Sequence, residues 1–138
     1  MFQDWWFPRE GAGRRGLTRL ASVDGIAQNE WMTLAAIDIA RDENFEGYLH
    51  GSQVSIIREY ASQPGTGPRL HRHPYTETFL IHAGRALFTV GDEQLVGVGG
   101  QILVVPALVA HRFEVLDGGT YEATHIHAND RFVTEWLE

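Results

Sequence analysis

From Trp31 onward, apolar and polar residues alternate in short runs and never form a sustained helical stripe. Runs at 32–39, 53–61, 78–82, 85–90, 101–105, 111–116 and 121–127 are rich in β-branched or aromatic residues and read as strands. Turn chemistry separates them at Pro64-Gly65, Ala83-Gly84, Gly91-Asp92, Gly97 with Gly99-Gly100, and Asp117-Gly118-Gly119. The spacing predicts an all-β domain, a sandwich or a barrel, over residues 31–138. Phe79, Ile81, Phe88, Phe113 and Val115 are expected to line or fill its interior. Arg58 shares its parity with Val54 and Ile56, so it too is expected to point inward, paired with a glutamate or shaped for a substrate carboxylate.

Residues 1–30 show no period. Trp5, Trp6 and Phe7 stand among Arg9, Arg14, Arg15 and Arg19, with Gly11, Gly13 and Gly16 between the arginines. Large aromatic side chains are costly to leave in water, so this stretch is expected to be an extended arm lying on the domain or on a second copy of the chain, in a homodimer. A disordered leader is the alternative reading.

Composition narrows the chemistry. The chain of 138 residues has a formal net charge of −7, which argues against nucleic acid or an anionic membrane surface as a partner. All 11 basic residues are arginines and cysteine is absent, excluding Schiff-base lysines, disulfides, thiolate nucleophiles and cysteine-ligated metals. The N-terminal stretch has no continuous apolar core like that of a signal peptide, and no run is long enough to span a bilayer. A cytoplasmic location is the expectation.

The candidate chemistry gathers at 65–77. His71, His73 and Glu77 share strand parity, which places three side chains on one face, although Pro74 interrupts the run. Imidazole and carboxylate donors together suit zinc, iron, manganese, nickel or cobalt rather than calcium. Farther on, Tyr121, Ala123, His125 and His127 share a face. Facing inward, His125 and Tyr121 are candidates for general acid or base; facing outward, they leave the interior to Thr124 and Ile126. His82 and His50 read as surface residues beside turns.

Gly65, His71, His73, Glu77 and Gly84 stand at all five fixed positions of the pattern G-x5-H-x-H-x3-E-x6-G. In this the chain resembles the cupin superfamily, in its small bacterial members. The second cupin pattern, G-x5-P-x-G-x2-H-x3-N, is met by Gly100, Pro106 and His111, with Leu108 in place of glycine and Val115 in place of asparagine. The resemblance implies a double-stranded β-helix, a jelly-roll barrel, with one divalent transition metal ion (iron, manganese, nickel or zinc) held by His71, His73, Glu77 and His111. It implies a small-molecule substrate or ligand. The expected function is a metal-dependent enzyme acting on a small organic acid, phenol or carbonyl compound, dioxygenase-like or another oxidoreductase. A non-catalytic ligand-binding or sensor protein is the alternative, and an isomerase or lyase using His125 or Tyr121 the second.

Overall fold

The computed structural model describes residues 36–138; the chain divides into two units, Met1–Ile39 and Ala40–Glu138. The expected arm at 1–30 lies outside the described residues, and of the expected strand at 32–39 only 36–39 are described, where no strand forms.

The second unit is built from ten strands: β1 Asn44–Phe45, β2 Ser55–Ala61, β3 His71–Arg72, β4 Glu77–Ala83, β5 Arg85–Val90, β6 Glu93–Val98, β7 Ile102–Val105, β8 His111–Val115, β9 Tyr121–His127 and β10 Glu135–Trp136. One 3-10 turn at Gly47–Leu49 is the only helical element among the described residues. None of their helices is long and apolar enough to cross a membrane. The strands form two five-stranded sheets, ordered β1-β2-β9-β4-β7 and β10-β3-β8-β5-β6, and every pairing is antiparallel. This is the double-stranded β-helix.

Period-two burial drives the two sheets together. Along β9 every second residue is buried, from Tyr121 through Ala123 and His125 to His127, and β8 buries His111, Phe113 and Val115 in the same way. The facing residues make an aromatic core. Phe79 meets Phe88 edge-on with ring centroids 5.1 Å apart, and Phe88 meets Phe113 at 5.7 Å. Burying each such ring removes apolar surface worth roughly 2–3 kcal/mol. At the turn from β4 to β5, Gly84 has φ +72°, and a Cβ there would run into the Thr120 carbonyl oxygen. Only glycine meets both demands.

Two expectations need correction. Arg58 is half-buried on the outer parity of β2, because Ser55, Ile57 and Ala61 are the residues that face the core. It therefore does not reach the barrel interior. The segment 93–98, left without an element by the sequence, is a strand: β6 is a sheet edge whose residues are exposed apart from Gly97. A Cβ at Gly97 would sit 2.7 Å from both Ile81 Cδ1 and Leu103 Cδ1, so this glycine lets the edge strand close on the core.

Candidate metal centre

One end of the barrel gathers its donors by cross-strand registry. His71 of β3 is the direct partner of His111 of β8, and Glu77 of β4 is the direct partner of His127 of β9. His73 lies on the non-strand connection between β3 and β4. The shared strand parity expected of His71, His73 and Glu77 is thus not what unites them. Pro74 ends β3, removing a ladder donor, and the chain crosses from one sheet to the other before Glu77. The ligand atoms of His71, His73, Glu77 and His111 all lie within 4.8 Å of one another. None of the four residues is more than 3% exposed.

Backbone carbonyls hold the three imidazoles. His71 Nδ1 lies 2.7 Å from Arg69 O, His73 Nδ1 lies 2.8 Å from Val133 O, and His111 Nδ1 lies 2.9 Å from Val109 O. A carbonyl only accepts, so each Nδ1 carries the proton and donates it. Each neutral ring then keeps its lone pair on Nε2, the nitrogen a metal takes.

Those nitrogens surround Glu77. His111 Nε2 is 2.9 Å and His73 Nε2 is 3.1 Å from Oε2. On the other oxygen, Oε1, His127 Nε2 stands at 3.2 Å and His125 Nδ1 at 3.7 Å. Burial first, then the neighbouring His111, lowers His71 to about 4. A carboxylate beside neutral imidazoles is the charge pattern that a divalent cation completes.

A second observation tests that fit. His73 Nε2 is buried without a hydrogen-bond partner, although Glu77 Oε2 is only 3.1 Å away. With its proton on Nδ1, this nitrogen has no hydrogen to offer the carboxylate. An unpaired buried nitrogen costs about 1–3 kcal/mol, and an ion between the two atoms removes that cost. The donor set therefore fits one divalent ion, with net charge of about +1 at the filled site.

The surroundings include residues the sequence did not single out. Tyr75 stacks on His73 with ring centroids 5.2 Å apart, accepts the Val133 N–H at 2.9 Å and lies 3.3 Å from His127 Nδ1. Burial raises its hydroxyl to about 12, so it stays protonated. Trp136 packs against His71 at 5.3 Å and Phe132 against His127 at 4.9 Å. The C-terminal stretch thus walls the centre, anchored by a two-pronged pair from Arg72 Nε and Nη2 to Glu135 at 2.7 and 2.9 Å. A cavity of about 200 Å³ runs beside this wall, lined by Arg72, Pro74, Leu108, Val133 and Thr134 around His73.

Of the other candidates, His125 and Tyr121 both face the interior and are fully buried. His125 lies among Phe79, Phe113 and Tyr121, and neither of its ring nitrogens has a hydrogen-bond partner. Burial pushes the Tyr121 hydroxyl far up, which keeps it protonated and rules it out as a base. Arg58 is not brought to the site. His82 is exposed and 2.8 Å from Thr124 Oγ1, and His50 stacks on Phe45.

Comparison with known proteins agrees with this geometry. Residues 59–127, half of the chain, match the cupin domain family. An uncharacterized protein of Streptomyces coelicolor is 34% identical over 70 residues, covering 46% of this chain and 67% of that protein. Among solved structures, an uncharacterized double-stranded β-helix protein of Klebsiella pneumoniae superposes with a TM-score of 0.56 at 17% identity, over 62% of this chain and 76% of that one. The oxalate decarboxylase of Bacillus subtilis, a protein with Mn(II) centres, does so with a TM-score of 0.56 at 21% identity, over 62% of this chain and 24% of its own. These two likenesses concern the fold. With the motif, the barrel and the family match in agreement, the chain belongs to the cupin domain family.

Proposed function

We propose that this cupin holds one divalent transition metal ion on His71, His73, Glu77 and His111 and uses it to act on a small organic acid or carbonyl compound, by oxidation or bond cleavage. The observation that carries the reading is the tying of three Nδ1–H groups to backbone carbonyls around one buried carboxylate. That arrangement fixes the lone pairs before any ion arrives, so little reorganisation opposes binding. When bound, the ion polarises an oxygen of the ligand and stabilises negative charge on it.

The protein's own residues set the rest. Phe79 and Phe113 form an apolar floor near the imidazoles, which excludes water and strengthens electrostatic interactions at the centre. Such apolar walls favour a small organic ligand over a sugar or a polymer. The fold likeness to a protein that decarboxylates oxalate supports small carboxylic acids as the first compounds to try. Protein loaded in turn with manganese, iron, nickel or zinc should consume oxygen or release a product with at least one member of a panel of dicarboxylic acids, 2-oxo acids, phenols and diketones. Metal-loaded protein inert to the whole panel would contradict an enzymatic role.

The near-complete burial of all four donors favours one second reading, a metal-dependent binding module. Calorimetric binding of a panel member to metal-loaded protein, without turnover, would select it.

A further inference from the structure

We propose that the strap at 132–136 is the gate of the centre and that it opens onto the cavity beside His73. Passage of an ion or a ligand rests on the metal-centre reading above, whereas the gate itself does not. The donors need one: His71, His73, Glu77 and His111 are each at most 3% exposed, so nothing from solvent reaches them unless a covering segment moves.

The strap lies directly on two donors. Trp136 is the cross-strand partner of His71 with its ring 5.3 Å from that imidazole, and the Val133 carbonyl accepts the His73 Nδ1–H at 2.8 Å. Yet no residue from 128 to 138 is buried, and Val133 is 46% exposed. Among the described residues β10 pairs with β3 alone, through Glu135 with Arg72 and Trp136 with His71. By contrast β4 and β8, which carry Glu77 and His111, are paired on both sides. The clamp from Arg72 to Glu135 joins side chains 39% and 56% exposed, so solvent and salt weaken it. The Leu137 N–H on the Leu70 carbonyl at 2.9 Å and the Arg69 guanidinium 5.0 Å from the Trp136 ring lie at the surface as well. An element with few buried contacts and exposed hydrogen bonds opens locally while the rest of a fold stays closed.

The cavity gives the opening a direction. Its lining includes three strap residues, Val133, Thr134 and Glu135, together with Arg72, Leu108 and the donor His73. A strap that lifts turns this space into a path to His73. Lifting also withdraws the Val133 carbonyl, the acceptor that orients the His73 ring. Opening and release of the donor are one event, and whatever holds His73 in place holds the strap down by the same factor.

The chain has no cysteine, and Arg72 and Glu135 are direct cross-strand partners, whose Cα separation of about 4.5–5.5 Å suits a disulfide. The full chain carrying Arg72→Cys and Glu135→Cys is therefore locked when oxidised and free when reduced. Metal-free protein is treated with diethyl pyrocarbonate, and each histidine is followed by peptide mass spectrometry. His71 and His73 should react at least tenfold more slowly in the oxidised form and recover on reduction, while the exposed His50 and His82 react alike in both. In the Mn(II)-loaded chain, transfer of the ion to EDTA should slow by the same factor. Glu135→Gln, which needs no crosslink to form, should quicken modification and transfer about two- to fivefold over the parent. Equal rates in the oxidised and reduced forms, or in Glu135→Gln and the parent, would overturn the gate. Lock-dependent modification in a chain that binds no manganese would uphold the gate and remove the metal-centre reading.

Discussion

Leu108 donates its backbone N–H to the carbonyl oxygen of His73 at 2.7 Å from a left-handed backbone conformation, φ +66°. Among the described residues it is the only non-glycine with positive φ, and it occupies the place where the cupin pattern has glycine. The backbone has kept the shape the glycine would give it, because that shape fixes the connection bearing His73. The strain of a side chain there is about 1–2 kcal/mol.

Replacing Leu108 by glycine should therefore stabilise the protein. The side chain is 61% exposed, so little apolar burial is lost, and the greater freedom of glycine in the unfolded chain offsets part of the gain. A net increase of about 1 kcal/mol, or roughly 4 °C in Tm, is expected. A lower Tm for Leu108→Gly would show that the leucine makes contacts worth more than the strain.

Glu59 gives a pH signature. It lies on the inner parity of β2 between Ile57 and Ala61, and burial first, then the nearby Asp42, raises its carboxyl from 4.5 to about 7. A group whose folded pKa is raised contributes stability that is fully present below the unfolded pKa and is lost as pH rises through the folded one. Glu59→Gln should match the parent protein near pH 4.5 and exceed it by about 3 kcal/mol at pH 8. Unfolding by urea across this range checks it; a difference that does not change with pH would contradict the assignment.

His125 acts in the opposite direction. Burial lowers it from 6.5 to about 4, so its contribution is present above pH 6.5 and is lost as pH falls toward 4. With both ring nitrogens unpartnered among aromatic rings, it weakens the fold by roughly 1–2 kcal/mol relative to an apolar residue of similar size. His125→Leu should unfold at higher urea at pH 7, lose less stability between pH 6.5 and 4, and retain its metal. Loss of turnover in that more stable, metal-replete variant would assign His125 to catalysis. A less stable variant, or one that loses its metal, would contradict this account of the residue.

The four candidate donors could be picked out in the sequence because a fixed spacing, from Gly65 to Gly84 and from Gly100 to His111, carries them however the strands run. The core was legible too: Phe79 and Ile81, like Phe113 and Val115, stand two apart on expected strands, and with Phe88 they are all buried. Arg58 was misplaced because β2 carries apolar residues on both parities, Ile56 on one and Ile57 on the other, with Arg58 and Glu59 side by side. Hydrophobicity alone could not choose its inner face. The two-residue strands β1, β3 and β10 are too short to show a period, and β6 is an exposed edge. The place of His127 depends on the registry of β9 against β4, which no local pattern specifies; its shared parity with Tyr121 and His125 was the only available hint.

The central claim is one divalent ion held at the imidazole–carboxylate cluster. Its most direct test is elemental analysis of the full chain purified without added metal, then titrated with Mn(II) and Zn(II), in parallel with Glu77→Gln. The account predicts close to one ion per chain for the parent protein and a loss of affinity of at least 100-fold in Glu77→Gln, which keeps the shape of the side chain while removing its charge. A parent chain that takes up no ion, or a Glu77→Gln variant that binds as tightly as the parent, would contradict it.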